Sequence, residues 1–196
     1  MKLKTKLLLS TGTALLALVA VYLGFFSDRY PMGMMHHGMH HGMHHGMHHG
    51  QHDEATMPGL NGRDTTTQEV NDLRTLFQKH QDIRRSVEEL PNGIRTVTES
   101  DDPDVRVAIV THVSQMIARL QTQRNPEVII QSPTLDKLFE VAQQIETQII
   151  PTETGVQVIQ TSSNSDVVAL LQTHAAEVSD LSSRGMRAVH ERIKSH

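Results

Sequence analysis

An internal duplication constrains the fold of this chain more than any other feature of its sequence. Residues 73–120 align without a gap on residues 135–182, at a constant offset of 62 residues. Eleven of the 48 aligned positions are identical, and one of the identical pairs is His112 and His174. This agreement predicts two copies of one supersecondary unit that pack together around a shared core.

Each copy has the pattern of a helix, a strand and a second helix. The first helix is expected to begin at the capping box Thr66-x-x-Glu69, and its counterpart at the N-cap Ser132. The second helices are expected to begin at caps provided by Asp102 and by a residue from Ser163 to Ser165. Apolar residues at helical spacing continue to Val87, so this first helix is expected to run up to the segment LPNG, and its counterpart up to Pro151. The glycine-led, β-branched segments GIRTVTES and GVQVIQTS predict one strand in each copy.

The predicted fold class is α+β, a mostly helical tandem helix-strand-helix repeat over residues 68–196. The two copies are expected to pack about a pseudo-two-fold axis with their strands paired. Because a lone two-stranded sheet is marginally stable in water, a homodimer that extends the sheet is a further expectation.

The N-terminus predicts a transmembrane signal anchor. Residues 1–6 contain three lysines, and residues 7–26 contain no charged side chain over a length that spans a bilayer as a helix. The lysines place residues 1–6 in the cytoplasm and the rest of the chain in the periplasm, anchored to the inner membrane by a single pass. Secretion after signal cleavage is the alternative, although the usual small-x-small cleavage site is missing.

Residues 27–67 are predicted to be a disordered tract and linker that binds metal. Between Met35 and Gly50 the tetrapeptide MHHG is written four times, and this segment holds eight of the fourteen histidines. Imidazole binds copper, nickel and zinc, whereas thioether sulfur favours Cu(I), so copper is expected ahead of nickel or zinc. A low-complexity linker is the alternative. The predicted ligands are His36, His37, Met39, His40, His41, Met43, His44, His45, Met47, His48, His49 and His52.

Two histidines of the duplicated domain are candidate cofactor ligands. His112 and His174 each lie in the middle of an apolar helical stripe. The duplication could bring them together on one metal ion or on a b-type haem. Met116 follows His112 by one helical turn, and Met186 precedes His190 by one turn, which adds candidate metal ligands. The alternative is that all of these residues have purely structural roles. His80 aligns with an alanine and is interpreted as a boundary residue.

Composition excludes several other functions. The net charge of −4, two tyrosines and four phenylalanines exclude a basic, aromatic nucleic-acid surface. The chain contains no cysteine, which excludes disulfides, thiolate metal sites and covalent haem attachment. It also lacks the GxSxG, HExxH, P-loop and GxGxxG motifs, so the sequence leans away from an enzyme and leaves the question open.

Four blocks of the sequence resemble a family of uncharacterised exported bacterial proteins. They are MPGLNGRD, LPNGIRTVTESDDPDV, IQSPTLDKLF and HAAEVSDLSSRGMRAVHE, and the resemblance covers residues 57–193. It implies export and supplies no activity.

Three functions therefore follow from the sequence. The first is copper capture, buffering or delivery by a membrane-anchored periplasmic protein, with a membrane transporter or oxidase as partner. The second is a haem- or metal-dependent redox protein that uses His112 and His174. The third is a partner-binding module whose histidines are structural.

Overall fold

The computed structural model describes residues 57–194, which belong to a compact unit of residues 53–196. The predicted anchor and the MHHG tract lie outside the described residues. Within residues 57–194, no helix has both the length and the apolar composition needed to cross a membrane.

The described part of the chain contains five α-helices and a four-stranded antiparallel sheet, which confirms the predicted α+β class. The first copy supplies α1 (Thr67–Gln78), β1 (Arg84–Leu90), β2 (Gly93–Glu99) and α2 (Pro103–Gln121). The second copy supplies α3 (Pro133–Glu140), β3 (Glu146–Pro151), β4 (Gly155–Thr161) and α4 (Ser165–Arg184), and α5 (Met186–Lys194) follows.

Local side-chain caps fix where the helices begin. Thr66 and Glu69 form the predicted capping box at the start of α1. The side chains of Asp102 and Ser132 accept hydrogen bonds from the first backbone N–H groups of α2 and α3, as their sequences predict. Asn164 caps α4 in the same way. Each cap satisfies backbone donors that have no partner inside the helix.

The strands that were expected to pair form the centre of the sheet. The strand order is β1-β2-β4-β3, with β2 antiparallel to β4. In this register Thr96 pairs with Val158, and these two residues occupy the same position in the two copies. Gly93 pairs with Thr161, and a Cβ at Gly93 would lie 1.9 Å from the carbonyl oxygen of Gln160, so this position requires glycine.

The prediction of one strand in each copy was wrong, because each copy contains a β-hairpin. The first helices end at Gln78 and Glu140, and the segments that follow form β1 and β3. Val87, predicted to be helical, lies in β1 opposite Thr96. Apolar residues four positions apart fit one face of a helix, but they also fit the period-two alternation of a half-buried strand. Since one chain supplies four strands, the reason for expecting a homodimer no longer applies.

The helices pack so that the two copies interlock. Helix α4 contacts the sheet mainly through β1 and β2 of the first copy. Helix α2 contacts the sheet more through β4 of the second copy than through β2 of its own copy. The largest core cluster joins Ile94 of β2 to Leu138 of α3 and Leu171 of α4. The core therefore cannot form from either copy alone.

The folded part begins before residue 68. Met57 and Leu60 are buried against Val70 of α1. The same segment is fixed by Arg119 of α2, which is only 3% exposed and donates to the carboxylates of Asp64 and Glu69. Asp64 and Glu69 thus connect the residues before and within α1 to the interior of the domain.

Candidate ligand-binding cavity

The domain contains a cavity of about 310 Å³, partly open to solvent, between its helices and one face of the sheet. This volume lies at the lower end of the range typical of small-molecule sites. Most of the lining is apolar, with a few polar side chains that come from different elements. The main apolar contributions are Leu73, Leu76 and Phe77 of α1, Val113, Met116 and Ile117 of α2, Leu135 and Phe139 of α3, and Val178 and Leu181 of α4.

His112 and His174, the two histidines singled out by the duplication, line this same cavity. Burial among the surrounding protein atoms lowers the pKa of His112 to about 4, and the nearby charge of Glu69 opposes this shift. The imidazole of His112 is therefore neutral at pH 7. A neutral imidazole can ligate a metal or exchange hydrogen bonds with a bound molecule.

His174 lies beside a carboxylate that other groups hold in place. Its Nδ1 is 3.8 Å from Oε2 of Glu177, which is beyond hydrogen-bonding distance, so the two interact through charge only when the imidazole is protonated. Ser132 and Thr134 donate hydrogen bonds to Glu177 at 2.7 and 2.8 Å. Burial raises the pKa of Glu177, but His174 and these hydroxyls outweigh it and lower the pKa to about 2. The buried Nδ1 of His174 has no hydrogen-bond partner among residues 57–194.

Arg85 of β1 also lines the cavity, and the sequence pattern did not reveal it. Its guanidinium donates one hydrogen bond, from Nη1 to Oγ1 of Thr98 at 2.6 Å. Its buried Nε has no partner within the described part of the chain. Burial lowers the pKa of Arg85 to about 10, so the side chain still carries its charge at pH 7. The cavity wall thus contains a cation whose hydrogen-bond partner is a neutral hydroxyl.

The duplication supplies the signal that could have identified Arg85. Arg85 aligns with Thr147 and Thr98 aligns with Gln160. In the second copy Gln160 donates to Oγ1 of Thr147 at 3.4 Å, across the equivalent strand pair. Both copies therefore hold a polar cross-strand pair at this position, but only the first copy carries a charge.

The other predicted ligands of the domain lie in different places. Met116 lines the cavity one turn after His112. Met186 instead packs against the cluster of Met57, Leu60 and Val70, and neither Met186 nor His190 belongs to the cavity lining. Of the two His/Met pairs, only His112 and Met116 thus line the cavity.

His80, interpreted as a boundary residue, makes a structural contact between distant parts of the chain. Its Nδ1 donates to the carbonyl oxygen of Ser182 at 3.2 Å. Gly185, whose φ is +58°, lies against the same ring, and a Cβ there would be 2.6 Å from Cδ2 of His80. The turn between α4 and α5 therefore requires glycine for both its backbone conformation and its packing.

The described residues place limits on a metal site in the domain. Among residues 57–194, no group of three or more His, Cys, Asp or Glu side chains is arranged to hold a metal ion. A metal bound by His112 and His174 would therefore need ligands of another kind to complete its coordination, and the thioether of Met116 is one candidate in the lining.

Comparisons with protein-family models, curated proteins and solved structures gave no match to this chain. The candidate functions consequently rest on the residues and on the geometry given above.

Proposed function

We propose that the protein is a membrane-anchored periplasmic metal-binding protein that captures, buffers or delivers copper. The observation that carries this proposal is the fourfold MHHG repeat between Met35 and Gly50. Imidazole nitrogen suits Cu(II) and thioether sulfur suits Cu(I), so one tract offers ligands for both oxidation states. Glycine at every fourth position leaves the backbone free to adapt to either geometry.

The proposed anchor at residues 7–26 would hold the MHHG tract close to the periplasmic surface of the inner membrane. A tract tethered to the inner membrane has a raised effective concentration near other membrane proteins. A copper transporter or a copper-dependent oxidase is the class of partner that would benefit. Mass spectrometry and fractionation of the native protein test this topology. Residues 1–26 should be retained in the membrane fraction, and a mature N-terminus between residues 20 and 30 would establish the secreted alternative.

We further infer that the domain consists of two copies of one unit related by a pseudo-two-fold axis. The bounds of β2 and β4 differ by 62 residues at both ends, and the starts of α2 and α4 differ by the same number. The pairing of Thr96 with Val158, which are equivalent positions of the two copies, supports such an axis at the centre of the sheet. This symmetry would bring His112 and His174 to the cavity from two related helices.

Haem- or metal-dependent redox chemistry in the domain is the second candidate function. It is favoured by the position of His112 and His174 on one cavity. Two imidazoles can hold a b-type haem, which would supply one-electron chemistry, and Arg85 could pair with a haem propionate. The third candidate, a partner-binding module, predicts that both histidines are structural.

An absorption spectrum and two variants separate these domain functions. In a full chain whose MHHG units are changed to LQQG, a bound haem gives a Soret band, and a bound metal remains after gel filtration. His112→Ala or His174→Ala should each remove that signal while helical content is kept, because a shared site loses its function with either ligand. If the protein is colourless and metal-free, and each substitution only lowers its stability, the histidines are structural and the partner-binding module is the remaining candidate function.

Competition titrations test the identity of the metal. The full chain is titrated with Cu(I), Cu(II), Zn(II) and Ni(II) against chelators of known affinity, and the copper ions should bind most tightly. Changing Met39, Met43 and Met47 to leucine should weaken Cu(I) binding and leave Zn(II) binding unchanged, since only the soft ligands are removed. Equal affinities for Zn(II) and Cu(I), with no effect of the leucines, would contradict the assignment of copper.

A further inference from the structure

The cavity holds a positive charge that the fold does not require. Arg85 has Thr98 Oγ1 as a hydrogen-bond partner, and its buried Nε has none among residues 57–194. The second copy builds the equivalent strand pair from Thr147 and Gln160 without any charge. Arg85 is partly buried, and a charge removed from water is costly unless a counter-charge accompanies it, so an anionic ligand would account for arginine at this position.

The rest of the cavity lining is mostly apolar, and this indicates what kind of ligand could pair with the charge of Arg85. The cavity walls include Leu73, Phe77 and Ile94. Two more charged side chains line the cavity, and both have their own partners: Glu177 accepts from Ser132 and Thr134, and Arg192 donates to the carbonyl oxygen of Ile130. The Nε–H group of Arg85 is thus left without an acceptor among residues 57–194, and an anionic group on an otherwise apolar molecule would supply both the acceptor and a counter-charge.

We infer that this cavity binds a monocarboxylate with a single apolar chain, such as a medium-chain fatty acid, with its carboxylate on the guanidinium of Arg85. A guanidinium and a carboxylate can form two parallel charge-assisted hydrogen bonds, which Nε and a terminal nitrogen of Arg85 can supply. The volume of about 310 Å³ favours a short to medium chain over a bulky lipid. This site does not depend on the MHHG tract, so the copper proposal and the cavity proposal can fail separately.

The test compares a carboxylate with its uncharged counterpart on the full chain in lipid nanodiscs. Dodecanoate or dodecanol is added, and hydrogen–deuterium exchange is followed in the peptides that cover β1 and α2. Dodecanoate should slow this exchange in a saturable way and dodecanol should not. Octanoate and hexadecanoate, run in parallel, report the chain length that the cavity accepts.

Three variants assign the effect to Arg85. Arg85→Met removes the charge, and Arg85→Thr introduces the residue of the second copy, so at least one of the two is expected to keep the fold. Both should weaken dodecanoate binding about tenfold or more, the loss expected for a hydrogen-bonded charge. Arg84→Met is the matched control: Arg84 is the neighbouring residue, but it is exposed and pairs with Asp101 on the other side of the strand. It should bind dodecanoate normally.

Several results would overturn the assignment. Equal protection by dodecanoate and dodecanol would mean that the cavity selects apolar chains without using Arg85. Tighter binding of dodecyl phosphate than of dodecanoate would replace the carboxylate by a phosphate ester as the preferred head group. A Soret band in the purified full chain would mean that haem occupies the cavity instead.

Discussion

His112 of α2 and His174 of α4 occupy the same position in the two copies, and both line one cavity. Their surroundings nevertheless differ. His112 is neutral because burial lowers its pKa, whereas His174 lies beside the carboxylate of Glu177. The two aligned imidazoles are therefore an asymmetric pair.

The low pKa of His112 predicts a pH dependence of folding stability. The unfolded imidazole takes up a proton near pH 6.5, whereas the folded one does so only near pH 4. The free energy of unfolding should therefore fall as the pH is lowered from 6.5 to 4, by at most about 3 kcal/mol from this group. His112→Gln should remove this part of the slope in urea titrations at a series of pH values. A slope identical to that of the natural chain would contradict the assigned pKa.

The buried ion pair of Arg119 and Glu69 predicts a strong, pH-dependent substitution effect. Arg119→Leu introduces the residue found at the equivalent position 181 and should destabilise the protein by about 3–5 kcal/mol at pH 7. The substitution leaves the Glu69 carboxylate, only 12% exposed, with its hydrogen bonds from Thr66 but without its charged partner. The hydrogen bond from Arg119 lowers the pKa of Glu69 to about 2, so its contribution is present above pH 4.5 and is lost between pH 4.5 and 2.

The stability difference between natural and variant chains should accordingly shrink as the pH falls through that window. Arg63→Met is the control, since Arg63 forms an exposed ion pair with Glu127 and its loss should change stability little. A stability difference that stays constant from pH 7 to 2 would contradict the role of the Glu69 charge.

Asp72 predicts a stabilising substitution. The residue is 5% exposed, one carboxylate oxygen accepts a hydrogen bond from Gln68, and Oδ2 has no partner within the described residues. Burial, assisted by the charge of Glu69, raises the pKa of Asp72. The charged form therefore costs stability at neutral pH, and Asp72→Asn should raise the free energy of unfolding by about 1 kcal/mol at pH 7.

This gain should disappear below pH 3.8, where the carboxyl group is protonated in both the folded and unfolded states. Glu140→Gln, at an exposed position, should leave the melting temperature nearly unchanged. Thermal melts at pH 7 and pH 3 measure both effects. Destabilisation by Asp72→Asn at pH 7 would show that the carboxylate has a favourable partner.

The sequence predicts those features of the domain that depend on local contacts. The helix starts at Thr66, Asp102 and Ser132 follow from caps that act within a few residues, and the pairing of β2 with β4 follows from the duplication. Strands β1 and β3 were missed because Val87 and Ile149 fit a helical face as well as a strand, and only the neighbouring strand decides between the two.

Arg85 shows that the sequence also fails to predict cavity residues whose position depends on a neighbouring strand. A charged residue in a half-polar strand is usually solvated, so its sequence context gives no sign of burial. Its orientation toward the cavity follows from the strand register, which pairs it with Thr98, on the face where Ile94 and Thr96 of β2 also line the cavity. His112 and His174 could be predicted because they are identical at aligned positions of the two copies. Arg85 could not be found in this way, because the aligned residue of the second copy is Thr147.

Metal binding by the tract predicts a pH dependence of its own. Protonated imidazole cannot coordinate, so copper affinity should weaken as the pH falls through about 6.5. The affinity is measured by competition at pH 7, 6 and 5 with a chelator whose own pH dependence is known. An affinity that is flat over this range would indicate that methionine sulfur alone binds the metal.

Copper stoichiometry tests the proposed function most directly. Two full chains are compared, one with the natural MHHG units and one in which each unit reads LQQG, which keeps the length, the glycine spacing and the domain unchanged. After loading with copper and gel filtration, the natural chain should retain several copper ions per molecule and the LQQG chain should lose most of them. Equal stoichiometry in the two chains would contradict copper binding by the tract.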